Sequence, residues 1–294
     1  MVRIDLHTHS DRSDGTMSPT ELVEHAAEVG LDVLAITDHD CFDGWDEASR
    51  AAQRVGLTLL RGIEISCRFA GESTHLLGYL PDSTYPPLAQ ELARVIDGRN
   101  SRLPALLARL RDLGIDIDIH DVRRVAGEAT AMGRPHVADA LVEKGVVLNR
   151  DEAFARFLGP GRPAYVDRYA ADLTEMIGLV AAAGGVSVVA HPWAGRHDSS
   201  ALDEPAFGAL RAAGLAGIEV DHQDHTAAKR ARLRELADAL DLVATGSSDF
   251  HGAGKVDFDL GCNTTDPAQF ERLMALATVA SLTSGRDTPA LEAP

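Results

Sequence analysis

The chain has 294 residues, 45% hydrophobic and 25% charged, an ordinary globular composition that can bury a sizeable core. Its formal net charge of -17 argues against non-specific binding to duplex DNA, which needs basic surface, but leaves room for a small phosphorylated substrate. Cys41, Cys67 and Cys262 have no paired spacing, and no secretory signal or membrane-spanning run is read in the chain, so a reducing, cytoplasmic setting is expected.

Val2–Leu6 alternates apolar and polar residues and reads as a strand, followed by His7-Thr8-His9. Side chains repeat every second residue along a strand, so His7 and His9 share a face. Asp14, before Gly15, falls in a turn just beyond. Ser18-Pro19-Thr20-Glu21 opens a helix as a capping box, running to about Glu28. Asp32–Ile36 is a strand ending in Thr37-Asp38-His39-Asp40. A helix over 45–55 follows, then a strand over 57–65 carrying Glu64, and another over 75–80 that begins at His75. This alternation predicts parallel strands wrapped by helices, with the site at the strands' C-terminal ends.

Residues 87–168 break the alternation. Helical periodicity runs over 88–113, and shorter helices are predicted over 121–126, 135–143 and 151–157. The segment reads as a helical insertion, or cap, over the barrel mouth, leaving 1–86 and 169–294 as the barrel. A helix over 173–183 and a strand over 186–190 ending at His191-Pro192 resume the pattern. Strands follow at 216–220 and 242–245, the latter leading to Asp249-Phe250-His251. A last strand is expected at 279–282, with a frayed tail after Arg286.

Nine side chains thus collect at strand ends: His7, His9, Asp14, His39, Glu64, His75, His191, Asp249 and His251. Nine exceed what one ion takes, so two or three ions with a bridging carboxylate fit better. Imidazole and carboxylate without thiolate suit zinc, manganese or iron. His25 and His120 read as surface or packing residues, and His197 as solvated.

These pieces resemble the PHP (polymerase and histidinol phosphatase) family of metal-dependent phosphoesterases. The resemblance rests on His7-Thr8-His9, Thr37-Asp38-His39, Gly62-Ile63-Glu64, His75, Ala190-His191-Pro192 and Ser248-Asp249-Phe250-His251, in family order. It implies a distorted (β/α)7 barrel holding three divalent ions (Mn, Fe or Zn). It would place His7, His9, Glu64 and Asp249 at the first, Glu64, His75 and His191 at the second, and Asp14, His39 and His251 at the third. The insertion and Gly133-Arg134-Pro135-His136 resemble a subgroup acting on nucleoside 3',5'-bisphosphates, AMP or the 5' end of short RNA. The resemblance therefore implies a nucleotide phosphomonoester as substrate, attacked by a metal-bridging hydroxide. Arg134 and His136 would hold a second phosphate, and Asp40 and His222, with His225, would act near the leaving group. His225 fits a surface loop equally well, and Arg99 and Arg102 on the long helix can face the pocket, although solvated positions fit them better. Histidinol phosphate hydrolysis and a non-catalytic metal-binding accessory role are the alternatives.

Overall fold

Eight strands and ten α-helices alternate along most of the chain in a computed structural model that describes residues 2–194 and 201–293. His197 lies outside the described residues. Strand β1 (Ile4–Asp5) pairs in parallel with β2 (Val33–Ile36), and β2 with β3 (Thr58–Phe69). The sheet continues through β4 (Glu72–Tyr79), β6 (Val186–Ala190), β7 (Gly217–Asp221) and β8 (Val243–Gly246), and short β5 (Ala171–Asp172) pairs with β3. A parallel bridge between Thr8 and Phe250 brings the ends of the sheet together, with His9 N–H donating to Phe250 O at 2.9 Å. The result is a nearly closed, distorted (β/α)7 barrel.

One strand departs from the expected parallel pattern. β4 runs antiparallel to both β3 and β6. The reason is a two-residue hairpin turn at Ala70–Gly71, both with positive φ (47° and 85°), which suits the twist of paired strands. His75 therefore lies inside β4, opposite Ser66 and Ala190, and not at the strand's start.

Helix α1 (Pro19–Glu28) has the expected capping box at Ser18 and Glu21 and packs beside α2 (Trp45–Val55). Leu22, Val23 and Ala26 of α1 meet Ala48, Ala51 and Ala52 of α2 in one cluster with Leu34 and Ile36, so small residues on α2 let the helices approach the sheet. Each fully buried Leu or Ile there contributes roughly 1.5–3 kcal/mol relative to exposure.

Helices α3 (Pro86–Asp112), α4 (Ile119–Ala126), α5 (Arg134–Glu143) and α6 (Arg150–Ala153), with a π-turn at Phe154–Leu158, make up the helical segment. Leu88, Leu92 and Val95 of α3 belong to the barrel core. From Leu103 onward α3 packs into a separate cluster with Val122, Val137 and Leu141.

The barrel is completed by α7 (Leu173–Ala182), α8 (Glu204–Ala212), α9 (Ala227–Ala239) and α10 (Pro267–Ser284). The strand expected at 279–282 is the last part of α10, started by an Asp266 cap and Pro267; Val279 and Leu282 lie on its exposed side. The tail is not frayed at Glu292, which bridges Leu59 and accepts from Arg61 Nε at 2.7 Å and Ser49 Oγ at 2.9 Å. Among the described residues no helix is long and apolar enough to cross a membrane.

Candidate metal centre

Glu64 lies at the middle of the site and is 1% exposed. Its Oε1 stands 2.9 Å from His75 Nδ1 and 3.1 Å from His191 Nε2. Its Oε2 stands 3.3 Å from His7 Nε2, 3.2 Å from His9 Nε2 and 3.1 Å from His39 Nδ1. Two further carboxylates flank it. Asp249 Oδ1 is 3.5 Å from His7 Nε2 and 3.4 Å from His9 Nε2, and Asp14 Oδ1 is 3.3 Å from His251 Nε2. All nine side chains singled out from the sequence therefore meet in one buried space.

Local backbone geometry explains how they get there. A Cβ on Gly15 would lie 2.3 Å from His9 O, so only glycine lets the turn fold back and bring Asp14 over His9. His191 and Asp249 both take positive φ (26° and 54°), a strained conformation for non-glycine residues that turns their side chains inward at strand ends.

Metal-ligand atoms would be expected to face a common space with nothing else to bind. His7 Nε2, His9 Nε2, Asp14 Oδ1, His39 Nδ1 and His75 Nδ1 are all buried without a hydrogen-bond partner. Leaving one such group unmade costs roughly 1–3 kcal/mol, so five in one place call for an occupant. The opposite ring nitrogens are held by the protein. His7 Nδ1 lies 3.1 Å from Glu219 Oε1, His9 Nδ1 3.4 Å from Ser13 Oγ, and His251 Nδ1 2.8 Å from Asp249 O. That arrangement fixes tautomer and ring direction as second-layer partners do in metal sites. The residues therefore fit a cluster of divalent ions.

The ligand atoms form four overlapping groups, each within 4.8 Å: His9, Asp14, His39 and His251; His7, His9 and Asp249; His39, Glu64 and His75; His7, His191 and Glu219. His7, His9 and His39 are each shared between two groups. Burial alone would raise Glu64, but His39, His75 and His7 hold it well below the usual carboxylate range. Burial lowers His9, yet the Asp249 and Glu64 carboxylates outweigh it and bring His9 up to about 9. A proton there competes with a metal ion for the same nitrogen.

Glu219 was not singled out from the sequence. It is fully buried, accepts from His191 N–H at 2.8 Å and from the Ser247 hydroxyl, and holds His7. A glutamate inside the apolar run Gly-Ile-Glu-Val-Asp was the available signal, because an apolar strand seldom buries a carboxylate without a use. Asp38, which the sequence places at a strand end, and Lys255 were not among the expected site residues. Asp38 accepts from Ser10 N–H at 2.8 Å and Ser13 Oγ at 2.6 Å, bracing the Asp14 turn; Lys255 pairs with Asp249.

The expected leaving-group residues are placed differently. Both Asp40 oxygens are engaged, by Ser66 N–H at 2.7 Å, Ser66 Oγ at 2.9 Å and Arg99 Nε at 2.6 Å. His222 accepts from Asp224 N–H at 3.1 Å, and its Nε2 faces Asp249 Oδ2 at 3.1 Å, so it braces that carboxylate. His225 is buried, not in a surface loop, with Nδ1 2.9 Å from Val220 O. Arg99 and Arg102 are 6% and 7% exposed and are not solvated, because α3 turns them toward the barrel. Both nitrogens of His136 are occupied, one accepting from Gly133 N–H at 2.9 Å and the other 2.8 Å from Ser13 O. Arg134 donates to Leu158 O at 3.2 Å and lies over Phe154 and Tyr165. A cleft of about 590 Å³ opens beside His75 and His191, between the Arg68–Thr74 hairpin, Tyr165 and Trp193.

Residues 5–107 match the PHP domain. The chain is 37% identical to the 3',5'-nucleoside bisphosphate phosphatase of Chromobacterium violaceum over 262 residues, 89% of this chain and 91% of that protein. It is 36% identical to a 5'-3' exoribonuclease of Haemophilus influenzae over 250 residues, 85% of this chain and 90% of that one. Among solved structures, a proposed metal-dependent phosphoesterase from Bifidobacterium adolescentis superposes with a TM-score of 0.89 at 37% identity, covering 93% of this chain and 96% of the other. With this barrel and this ring of inward-facing imidazoles and carboxylates, the chain belongs to the PHP family of metal-dependent phosphoesterases.

Proposed function

We propose that the chain hydrolyses a phosphomonoester of a nucleotide, with the scissile phosphate seated among the side chains around Glu64. The observation that carries the reading is the set of buried, partnerless ligand atoms facing one space. The relatives named above support the choice of a nucleotide or the end of an RNA. Divalent ions bound there would neutralise phosphate charge and supply a water of lowered pKa as nucleophile. Manganese, iron and zinc all suit the donor set, and we propose three ions sharing its four overlapping groups.

The protein's own part is to hold the ligands rigidly. Glu219, Ser13 and the Asp249 carbonyl orient the imidazoles, and His222 and Lys255 brace Asp249. Because Asp40 and His222 are committed to internal bonds, the leaving oxygen takes its proton from solvent. The helical segment over 87–168 acts as a cap on the site. The buried free thiols Cys41 and Cys67 suit a reducing, cytoplasmic compartment.

Phosphate release should be followed from a nucleoside 3',5'-bisphosphate, AMP, a 5'-phosphorylated oligoribonucleotide and histidinol phosphate, with metal content measured on the same sample. Nucleotides should lead the panel. Preference for histidinol phosphate would replace the substrate, and a metal-loaded protein that releases phosphate from none would favour an accessory metal-binding role.

A further inference from the structure

The loop that follows His251 carries a lysine back into the metal centre. Gly252–Gly254 form a short 3-10 turn, and Ala253 N–H donates to Thr16 Oγ1 at 2.9 Å, two residues beyond Asp14. A Cβ on Gly252 would run into that hydroxyl, and one on Gly254 into the Arg150 guanidinium. The two glycines therefore let the loop lie directly on the Asp14 turn and on the start of α6, where a side chain would push it away. Lys255 comes next. Its Nζ reaches Asp249 Oδ2, and the Phe258 ring covers one side of the ammonium, with Nζ 4.1 Å from the ring centre.

Among the described residues, no other lysine or arginine lies within ion-pair distance of Glu64, Asp14 or Asp249. Asp249 does not need Lys255 to satisfy its outer oxygen. His222 Nδ1 accepts from Asp224 N–H, so Nε2 carries the ring proton and donates to the same Oδ2 at 3.1 Å. The other oxygen, Oδ1, faces His7 and His9 at 3.5 and 3.4 Å, so Lys255 stands against the ligand set itself.

A lysine ordinarily lays its stem along the surface and leaves its ammonium in water. Lys255 instead turns its ammonium inward, and its side chain is 29% exposed. An ammonium has three N–H donors. One is on Asp249, the Phe258 face takes up another side, and no further hydrogen-bond partner is present among the described residues. A donor and a positive charge are thus left over beside the centre.

We infer that Lys255 is a catalytic residue that donates to a non-bridging oxygen of the scissile phosphate while one N–H stays on Asp249. This rests on the phosphoesterase reading above. A phosphate monoester brings further negative charge to a pocket that already holds Glu64, Asp14 and Asp249, in a chain of net charge -17. A compact ammonium with rotatable donors can follow an oxygen whose charge and position change as the ester bond breaks. Lys255 gives up no proton, and the leaving oxygen still takes its own from solvent. The group recognised is the scissile phosphate, so the contact is indifferent to what the phosphate is attached to.

The test uses the metal-loaded full chain with Lys255→Met, Lys255→Gln and Lys255→Arg, with metal content measured on every sample. In Lys255→Met and Lys255→Gln, kcat/KM should fall by about ten- to a hundred-fold, the range for a charge-assisted hydrogen bond. The fall should be equal on AMP and on p-nitrophenyl phosphate, which share only the scissile phosphate. Lys255→Arg, which keeps the charge and the donors, should recover most of the loss. A loss confined to AMP would place Lys255 on the nucleoside and overturn the inference.

A second readout needs no turnover. Inorganic phosphate titrated into the metal-loaded protein by calorimetry should bind about ten- to a hundred-fold more weakly to Lys255→Met than to wild type, at equal metal content. A lysine that only braces Asp249 gives a different result: the variant loses metal, and phosphate affinity returns once wild-type occupancy is restored. That result overturns the inference. If no substrate releases phosphate, the phosphoesterase reading fails, and calorimetry still decides Lys255. Equal phosphate affinity in wild type and variant overturns its role.

Discussion

Glu64 faces five imidazoles, those of His7, His9, His39, His75 and His191, at 2.9–3.3 Å. No other carboxylate among the described residues of the site faces so many. Glu64→Gln removes one negative charge from the carboxylate that faces five imidazoles, whereas His75→Asn removes one ligand at the partly exposed edge. Elemental analysis of the purified variants should show the larger metal loss in Glu64→Gln. A greater loss in His75→Asn would mean that Glu64 is not the shared ligand. Asp40 illustrates the opposite outcome at this scale. Its place beside His39 suggested chemistry, yet burial, which would raise it, is outweighed by Arg99, which holds it below the usual carboxylate range. It acts as a buried anchor for α3.

At the scale of elements, the helical segment is joined to the turn that carries Asp14 by more than proximity. Arg150, at the start of α6, donates through Nη1 to Asp14 O at 2.9 Å while Nε and Nη2 grip Asp139 at 2.6 and 2.7 Å. Thr130 N–H donates to Arg12 O at 3.0 Å, and His136 lies 2.8 Å from Ser13 O. The turn that presents Asp14 is thus held from outside the barrel. Breaking the Arg150 clasp strands a partly buried Asp139 and frees the turn. Arg150→Met should therefore lower metal occupancy at the Asp14, His39 and His251 end by several-fold, with a smaller effect on the Glu64 end. Metal titration followed by calorimetry reads this directly; unchanged stoichiometry and affinity would show that the turn holds its shape unaided.

Across the whole molecule, the centre stripped of ions would gather buried charge that the barrel must hold against electrostatic cost. Ions that bind only the folded state stabilise it by about 2.7 kcal/mol at a hundred times Kd and about 4.1 at a thousand times. At roughly 2–4 °C per kcal/mol for a domain of this order of size, chelation should lower the thermal midpoint by at least about 5 °C. Readdition of manganese or zinc should restore it. A midpoint indifferent to verified metal removal would mean that the side chains in the pocket compensate one another without ions.

How much of this was legible beforehand depended on how local the physics is. Caps, helix periods and strand ends depend on neighbours a few residues apart, so Ser18, Pro19 and Glu21 announced α1, and the positions of His7, His39, Glu64 and Asp249 within or after apolar runs announced the candidate ligands. The hairpin at Ala70–Gly71 was also local and by itself makes β4 antiparallel to β3, but the second pairing of β4, to β6, joins residues more than a hundred apart. The apolar run ending at Leu282 was ambiguous between strand and helix, and the upstream Asp266 cap together with packing against the barrel decided for helix. What the sequence by itself determined is the list of residues able to bind metal and the alternation that makes a barrel. What only the tertiary structure decided is which polar atoms are already spent. Asp40 on Arg99, His222 on Asp249 and His136 on Ser13 are satisfied across 59, 27 and 123 residues, while Arg102 Nε is left without a hydrogen-bond partner. Hydrogen bonds form between groups close in space, and spacing along the chain carries almost no record of that closeness at such separations.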